Sequence, residues 1–417
     1  MSASAPRAVV IGGGVVGCAC AHYLREAGLA VTLVEKNAVG SGCSHANCGF
    51  VSPSHVLPLA GPGVIGKTLW TLLQKDSPLK IRLRWDPALW AWLLRFALRC
   101  NRPAMLEAGH ALAALLKSSR ELYGELFRAG VLDAEWEERG TLFVFRTLKE
   151  MDHYAQTDKL LREEFDTPAT RLDGDALCVR EPALKPGLAG AWFNPNDAHL
   201  RPDRLLSSWG SALVSRGVEV REQCAFVGLE KAGKQVRAVV TSQGRFEADH
   251  VVVAAGVWTS LLKEQIGTRL PIVPGKGYSI TMARPSRCPQ IPIIFEEDRV
   301  AVTPMRSGYR LGSTMEFAGY DDRLDRRRLE ILRRAARFYL HTPEAEPVTE
   351  EWWGWRPMVA DGKPIIGRLR GFDNLLVAAG HSMLGVALGT GTGKLVTELV
   401  TGVTPHLDPA PYSPTRF

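Results

Sequence analysis

No apolar stretch of this 417-residue chain reaches the roughly 18 to 20 uncharged residues that a bilayer span requires; the nearest, Leu57 to Trp70, is short and carries Lys67. The sequence therefore predicts no membrane-spanning helix. Its eight cysteines (18, 20, 43, 48, 100, 178, 224 and 288) include no C-x-x-C pair, and MSASAPR leads straight into a strand-like run instead of a signal-peptide core. Both features predict a reduced, cytosolic compartment. The ten histidines are scattered with no H-x-x-x-H spacing, so no metal site is expected. Internal repeats, low-complexity tracts, and zinc-finger or RRM-like patterns are also absent, and no Ser-His-Asp set can be assigned. These absences argue against nucleic acid as a partner. What remains is an ordinary globular composition, 46% apolar and 23% charged, long enough for two packed lobes. A net charge of +7 suits an anionic substrate, an anionic cofactor or an anionic membrane surface, with plain solubility as the competing explanation.

The most informative segment comes first. Ala8 to Ile11 reads as a buried strand, Cys18 to Ala27 as a helix and Ala30 to Val34 as a second strand, a βαβ order. Between strand and helix stands Gly12-Gly13-Gly14-Val15-Val16-Gly17, a G-x-G-x-x-G match, and Glu35 with Lys36 ends the second strand. Gly12 permits the turn, Gly14 lets a pyrophosphate approach the backbone, and Gly17 lets helix and strand pack, while the helix N-terminus supplies N–H donors. Glu35 would accept hydrogen bonds from ribose hydroxyls, and an acid there argues against a 2′-phosphate and so against NADP. A single NAD-type fold needs only one such loop. Here Ala255-Gly256, after the run Val251 to Ala254, and Ala379-Gly380-His381, after Leu375 to Ala378, are two more strand ends that stop at glycine. A cofactor as long as FAD needs several close approaches of this kind. The loop from Gly380 through Leu384 to Gly385, before a helix over Leu388 to Val400, can aim N–H groups at the flavin ring.

The strings VVIGGGVVG, GSGCSHANCGFVSPS, PGKGYSI, GWRPMVADGKPIIG and AAGHSMLG resemble, in this order and over essentially the whole chain, the D-amino acid dehydrogenase group of the D-amino acid oxidase and glycine oxidase superfamily. His45, Cys43 and Cys48 depart from it, standing where the dehydrogenases usually carry small or polar residues. The resemblance implies an α/β protein with a discontinuous Rossmann-type FAD-binding lobe (1–84, 166–260 and 351–417) and a second, β-rich antiparallel-sheet substrate lobe (85–165 and 261–350). It implies FAD-dependent oxidative deamination of a small amino acid of D configuration, with electrons passed to a non-oxygen acceptor such as a quinone. It places the substrate carboxylate on Arg356 of Gly354-Trp355-Arg356-Pro357, where a guanidinium fork grips bidentately. An ion-pair role is the alternative for Arg356. Tyr278 is the second expected substrate contact, or else core. Ser44, Asn47 and Gly49 are expected to line the flavin, and His45 and His55 to reach flavin or substrate, or to serve as hydrogen-bonded structural groups. Rival functions are a proline or hydroxyproline dehydrogenase, a glycine or sarcosine oxidase, and a flavin-binding electron-relay subunit without turnover. From Val64 to Leu98, tryptophans 70, 85, 90 and 92 alternate with Lys67, Lys75, Lys80, Arg82, Arg84 and Arg95. That pattern predicts either a face that docks on anionic lipid or amphipathic helices burying their tryptophans.

Overall fold

The computed structural model describes residues 5–66, 77–82 and 84–417. A six-stranded sheet runs in the order Ile365–Arg368, Leu375–Ala379, His250–Val253, Arg7–Ile11, Ala30–Val34 and Glu219–Arg221, parallel throughout except at the first pair. Its central strands are apolar runs buried on both faces, as Val251, Val252 and Val253 illustrate with no exposure, which is the pattern a helix-covered parallel sheet requires, while the edge strand Glu219–Arg221 is polar and exposed at both ends. Two helices on this sheet, Val15–Glu26 and Gly385–Thr401, pack closely because of small residues: a Cβ on Gly393 would lie 2.6 Å from the backbone of Ala19.

A second, mixed sheet of nine strands holds Val348–Val359 at its edge, then Ile272–Met282, Gly308–Phe317, Val300–Met305, Ile293–Phe295, Thr141–Phe145, Gly190–Asn194 and Thr170–Asp173, with Leu79–Ile81 paired to Gly308–Phe317. Period-two alternation gives it two unlike faces. Tyr278, Ile280 and Met282 point to one, where the helix Arg326–Tyr339 covers them with Leu329, Leu332 and Ala336. The opposite face looks toward the parallel sheet.

The α/β class and the two-lobed plan match expectation, but several segments change place. Thr170–Asp173, Gly190–Asn194 and Leu79–Ile81, expected with the nucleotide lobe, hydrogen-bond into the large sheet, as does most of the strand that ends at Val359. Strand pairing is non-local, and nothing within these short segments names the partner. The strands between 226 and 253 divide between two sheets. Phe226–Ala232, Gln235–Thr241 and Gly244–Glu247 form the antiparallel three-stranded sheet, while His250–Val253 enters the parallel one. Pro357 sits inside the edge strand, where a missing N–H costs no ladder bond.

Candidate active site

A cavity of about 2510 Å³ extends from the glycine loop of the first strand to the large sheet, well above the roughly 300–1,000 Å³ of a drug-sized site. Gly12, Gly14, Val15, Val16, Glu35 and Lys36 border its nucleotide end. Gly12 has φ +112 and its Cβ would meet Ala254 O at 2.5 Å, and a Cβ on Gly17 would meet Gly12 O at 1.8 Å. Those two glycines are there for packing. Gly14 differs: a Cβ would meet only Ser44 Oγ, at 3.6 Å, so the position opens on the cavity. Gly14 is also the N-cap of Val15–Glu26 and contributes no side-chain cap, which leaves a helix N-terminus aimed at the space with only Val15 N–H donated, at 3.3 Å, to Ser44. Glu35 accepts from the N–H groups of Gly13 at 2.7 Å and Asn37 at 2.9 Å, which orients a carboxylate at the strand end. Lys36 lies 3.7 Å from the centroid of Trp258, another wall of the cavity, and burial pushes its ammonium pKa down. Trp258 was not foreseen, since a tryptophan two residues past a strand-end glycine carries no local signature.

A second uncapped helix N-terminus enters farther along. Leu384 and Gly385, at the start of Gly385–Thr401, border the cavity together with Ala255, Gly256 and His381. His381 is buried, its Nε2 is 3.0 Å from Thr392 Oγ1, and burial pushes its pKa down to about 3, so it is neutral at physiological pH. Gly380 does not border the cavity; it has φ +72, and a Cβ would strike Val359 at 2.5 Å. The space, the two free helix termini and the carboxylate fit FAD. Gly12 to Val16, Glu35 and Lys36 would hold its dinucleotide half, and Ser44, Asn47 and the 381–385 turn its flavin half.

The first loop reaches the cavity because the large sheet clamps it. Arg310, 1% exposed, donates to Asn47 O at 2.7 Å and to Thr281 Oγ1 at 2.9 Å, Thr303 Oγ1 donates to Cys48 O at 2.6 Å, and Gly312 leaves room for the Cys48 sulfur. Ser44 and Asn47 border the cavity, and Asn47 Nδ2 donates to Met383 O at 3.3 Å. Gly49 does not; with φ +77 it makes a turn against Leu200 O. His45 is also absent from the lining. Its Nε2 lies 2.8 Å from Glu350 Oε1, and that carboxylate raises the imidazole pKa. His55 does border the cavity, with Arg299 as its charged neighbour and its pKa pushed down by burial.

Arg356 sits on the edge strand, on the face it shares with Trp352, Gly354 and, across the ladder, Gly275 and Gly277. The two glycines make the arrangement possible. The Trp352 indole lies across Gly354, where a Cβ would be 1.9 Å from it, and the Arg356 guanidinium lies across Gly277, where a Cβ would be 2.3 Å from Cζ. Reaching over that middle strand, Nη1 donates to Thr314 O at 2.6 Å and Nη2 to Ser313 O at 3.5 Å. Among the described residues no carboxylate comes within ion-pair distance of it, and burial pushes its pKa below the ordinary arginine value. Cys43 and Cys48 are its electrostatic neighbours, and burial raises both thiols, Cys43 to about 11, so both stay protonated. Tyr278 also borders the cavity, but the period of two turns it to the other face of the sheet from Arg356, where its hydroxyl donates to Glu316 at 2.8 Å under the helix Arg326–Tyr339. Trp352 went unnoticed because the Trp-Trp-Gly-Trp run does not say which tryptophan faces the arginine.

Among known proteins, the sequence profile of the FAD dependent oxidoreductase family matches residues 7–399. The D-amino acid dehydrogenase of Methylobacterium radiotolerans is 34% identical over 96% of each chain, and that of Methylobacterium nodulans 33% identical over 99% of each. The fold is shared with glycine oxidase from Geobacillus kaustophilus (TM-score 0.79, 24% identity, 99% of both chains) and with L-proline dehydrogenase from P. horikoshii (TM-score 0.73, 21% identity, 99% of this chain and 98% of that one). With a match that runs from the first strand almost to the end of the last long helix, and relatives a third identical over nearly their full length, this chain belongs to the FAD dependent oxidoreductase family.

Proposed function

We propose that this chain oxidises the Cα–N bond of a small D-amino acid, giving an imine that water hydrolyses to a keto acid and ammonia. The observation that carries this reading is Arg356, an always-charged guanidinium bordering the cavity with carbonyls but no carboxylate as its described partners. A partly buried cation without a counter-ion is costly, and an α-carboxylate supplies the missing charge bidentately. Bound FAD supplies the two-electron acceptance that removal of the Cα hydrogen with its electron pair requires. The chain positions and shields. Arg356 anchors the carboxylate, Trp352 and Met315 line the apolar wall beside it, and the N-terminus of Gly385–Thr401 favours negative charge at the flavin end. His381 is neutral and both thiols beside Arg356 are protonated, so in this reading the substrate enters with its amine deprotonated. The test is anaerobic flavin bleaching against D- and L-amino acids, including the isomers of proline and hydroxyproline. Bleaching by D-amino acids is expected. A yellow protein that none of them reduces would instead favour an electron-relay subunit, and peroxide formation on aerobic turnover an oxidase.

The electron acceptor in this reading is a membrane quinone, and the specific support is one exposed face. In the helix Pro87–Arg99, Trp90, Leu94 and Leu98 recur every four residues and are 45%, 63% and 69% exposed, beside Trp85 at 92%. Trp92 belongs to the core instead, 3% exposed with its N–H donated to Met358 O at 3.1 Å. The basic component is weaker than the sequence implies: Arg82 pairs with Glu316 and Asp321, and Arg84 with Asp86, which leaves Lys80 and Arg95 outward. Lys67, Trp70 and Lys75 lie outside the described residues. Among those described, no helix is long and apolar enough to cross a membrane. The protein is expected to float with anionic liposomes at low salt and to stop doing so when Trp85, Trp90 and Leu94 are changed to Ser. Flotation untouched by those changes, or none at all, would reject docking through this face.

A further inference from the structure

The strand Gly308–Phe317 is irregular at the point that Arg356 reaches. Tyr278 pairs with Ser313 but Lys276 pairs with Glu316, so two residues, Thr314 and Met315, stand opposite the single Gly277. That is a β-bulge, a device that re-aims groups beside a site. Ser313 has φ 122 and Thr314 φ 53, both in the left-handed region, which a β-branched residue strongly disfavours. The strained backbone turns both carbonyls onto the guanidinium of Arg356. Glycine or asparagine would hold the same backbone at lower cost. What threonine adds is a hydroxyl, and it is unspent: Thr314 borders the cavity, is 2% exposed, and its Oγ1 has no hydrogen-bond partner among the described residues. An enclosed hydroxyl left unbonded is unfavourable, and each such group in a folded protein calls for an explanation. Ser279 Oγ is also unpartnered but does not border the cavity; Glu296 Oε2, Arg328 Nε and Trp355 Nε1 are unpartnered and border it, but Thr314 is the one whose own carbonyl Arg356 holds.

We propose that Thr314 is a substrate-binding residue whose hydroxyl donates to the α-carboxylate held by Arg356, an assignment that rests on the amino-acid reading above. Two donors of Arg356 are committed to carbonyls of the bulge, and the remaining N–H groups face an anion that has about four lone-pair sites to offer. The hydroxyl beside them is a donor without an acceptor. One carboxylate satisfies both.

The experiment uses FAD-loaded protein and two probes, D-alanine (or whichever amino acid bleaches the flavin faster) for turnover and propionate, its deaminated analogue, for binding read by perturbation of the flavin spectrum. In Thr314→Val the Kd for propionate and the KM for the amino acid should rise together by on the order of tenfold to a hundredfold, the effect of losing a hydrogen bond to a charged group. Thr314→Ala, which adds no β-branch at the left-handed position, should do the same if the valine variant folds poorly, and Thr314→Ser should stay near the parent. Unchanged propionate binding in folded, yellow Thr314→Ala overturns the proposal, as does a Thr314→Ser protein as weak as Thr314→Ala. A parent protein that no amino acid bleaches sinks the amino-acid reading and this one together, whereas bleaching by the parent with indifferent variants sinks only this one.

Discussion

Arg356→Ala is expected to lower kcat/KM by at least about a hundredfold while the protein remains yellow. Truncating one partner of a desolvated charge pair costs on the order of 2 to 5 kcal/mol, and the loss falls on the substrate because, among the described residues, Arg356 donates to two backbone carbonyls and the Met315 sulfur and to no carboxylate. Cofactor retention follows from the division of labour between two arginines: the loop that carries Ser44 and Asn47 is clamped by Arg310, not by Arg356. Arg356→Lys keeps the charge but not the fork, so most of the loss should persist. Gly277→Ala should move in the same direction, since its Cβ would stand 2.3 Å from the guanidinium carbon. The readouts are steady-state kinetics and the flavin absorption spectrum of each variant. A near-normal rate with an intact spectrum would remove Arg356 from the substrate site.

The second large effect is on the cofactor. Gly14→Val should give folded, colourless protein. The position has φ −74 and the nearest atom to a new Cβ is Ser44 Oγ at 3.6 Å, so the chain itself tolerates a side chain there and the added methyls project into the space where a pyrophosphate would meet the helix N-terminus. Gly17→Val offers the contrast. Its Cβ would overlap Gly12 O, so that variant should fail to accumulate as folded protein. Circular dichroism and the cofactor released on heating separate the two cases. Gly14→Val protein that stays fully yellow would mean the pyrophosphate lies elsewhere.

The two predictions differ in how much of their basis was visible before the structure. The glycine loop, its strand and helix, and Glu35 fall within about thirty consecutive residues, and each role depends on neighbours in the chain: a tight turn, a helix start, a strand end. Such features read directly from sequence: Gly12 follows the first strand, Gly14 caps the helix, Gly17 lies in its first turn and Glu35 follows the second strand. Gly49 and Gly380 show the limit of the same logic, because a strand-end glycine signals a close approach without saying what approaches. The neighbours proved to be Leu200 and Val359.

By itself the sequence determined the class of fold and the glycine loop between the first strand and its helix, and through its family likeness it pointed to Arg356. Only the tertiary structure decided what surrounds that arginine. Tyr278 and Gly277 are adjacent in the chain, yet one lies under the helix Arg326–Tyr339 and the other beneath the guanidinium, because successive strand residues face opposite ways. One extra residue in a neighbouring strand brings the Ser313 and Thr314 carbonyls onto Arg356, across about forty positions of sequence. Arg310 holds a loop more than 260 residues away. Register, bulge and sheet face are set by pairing between distant segments, so the side chains they bring together carry no signal in the segments themselves.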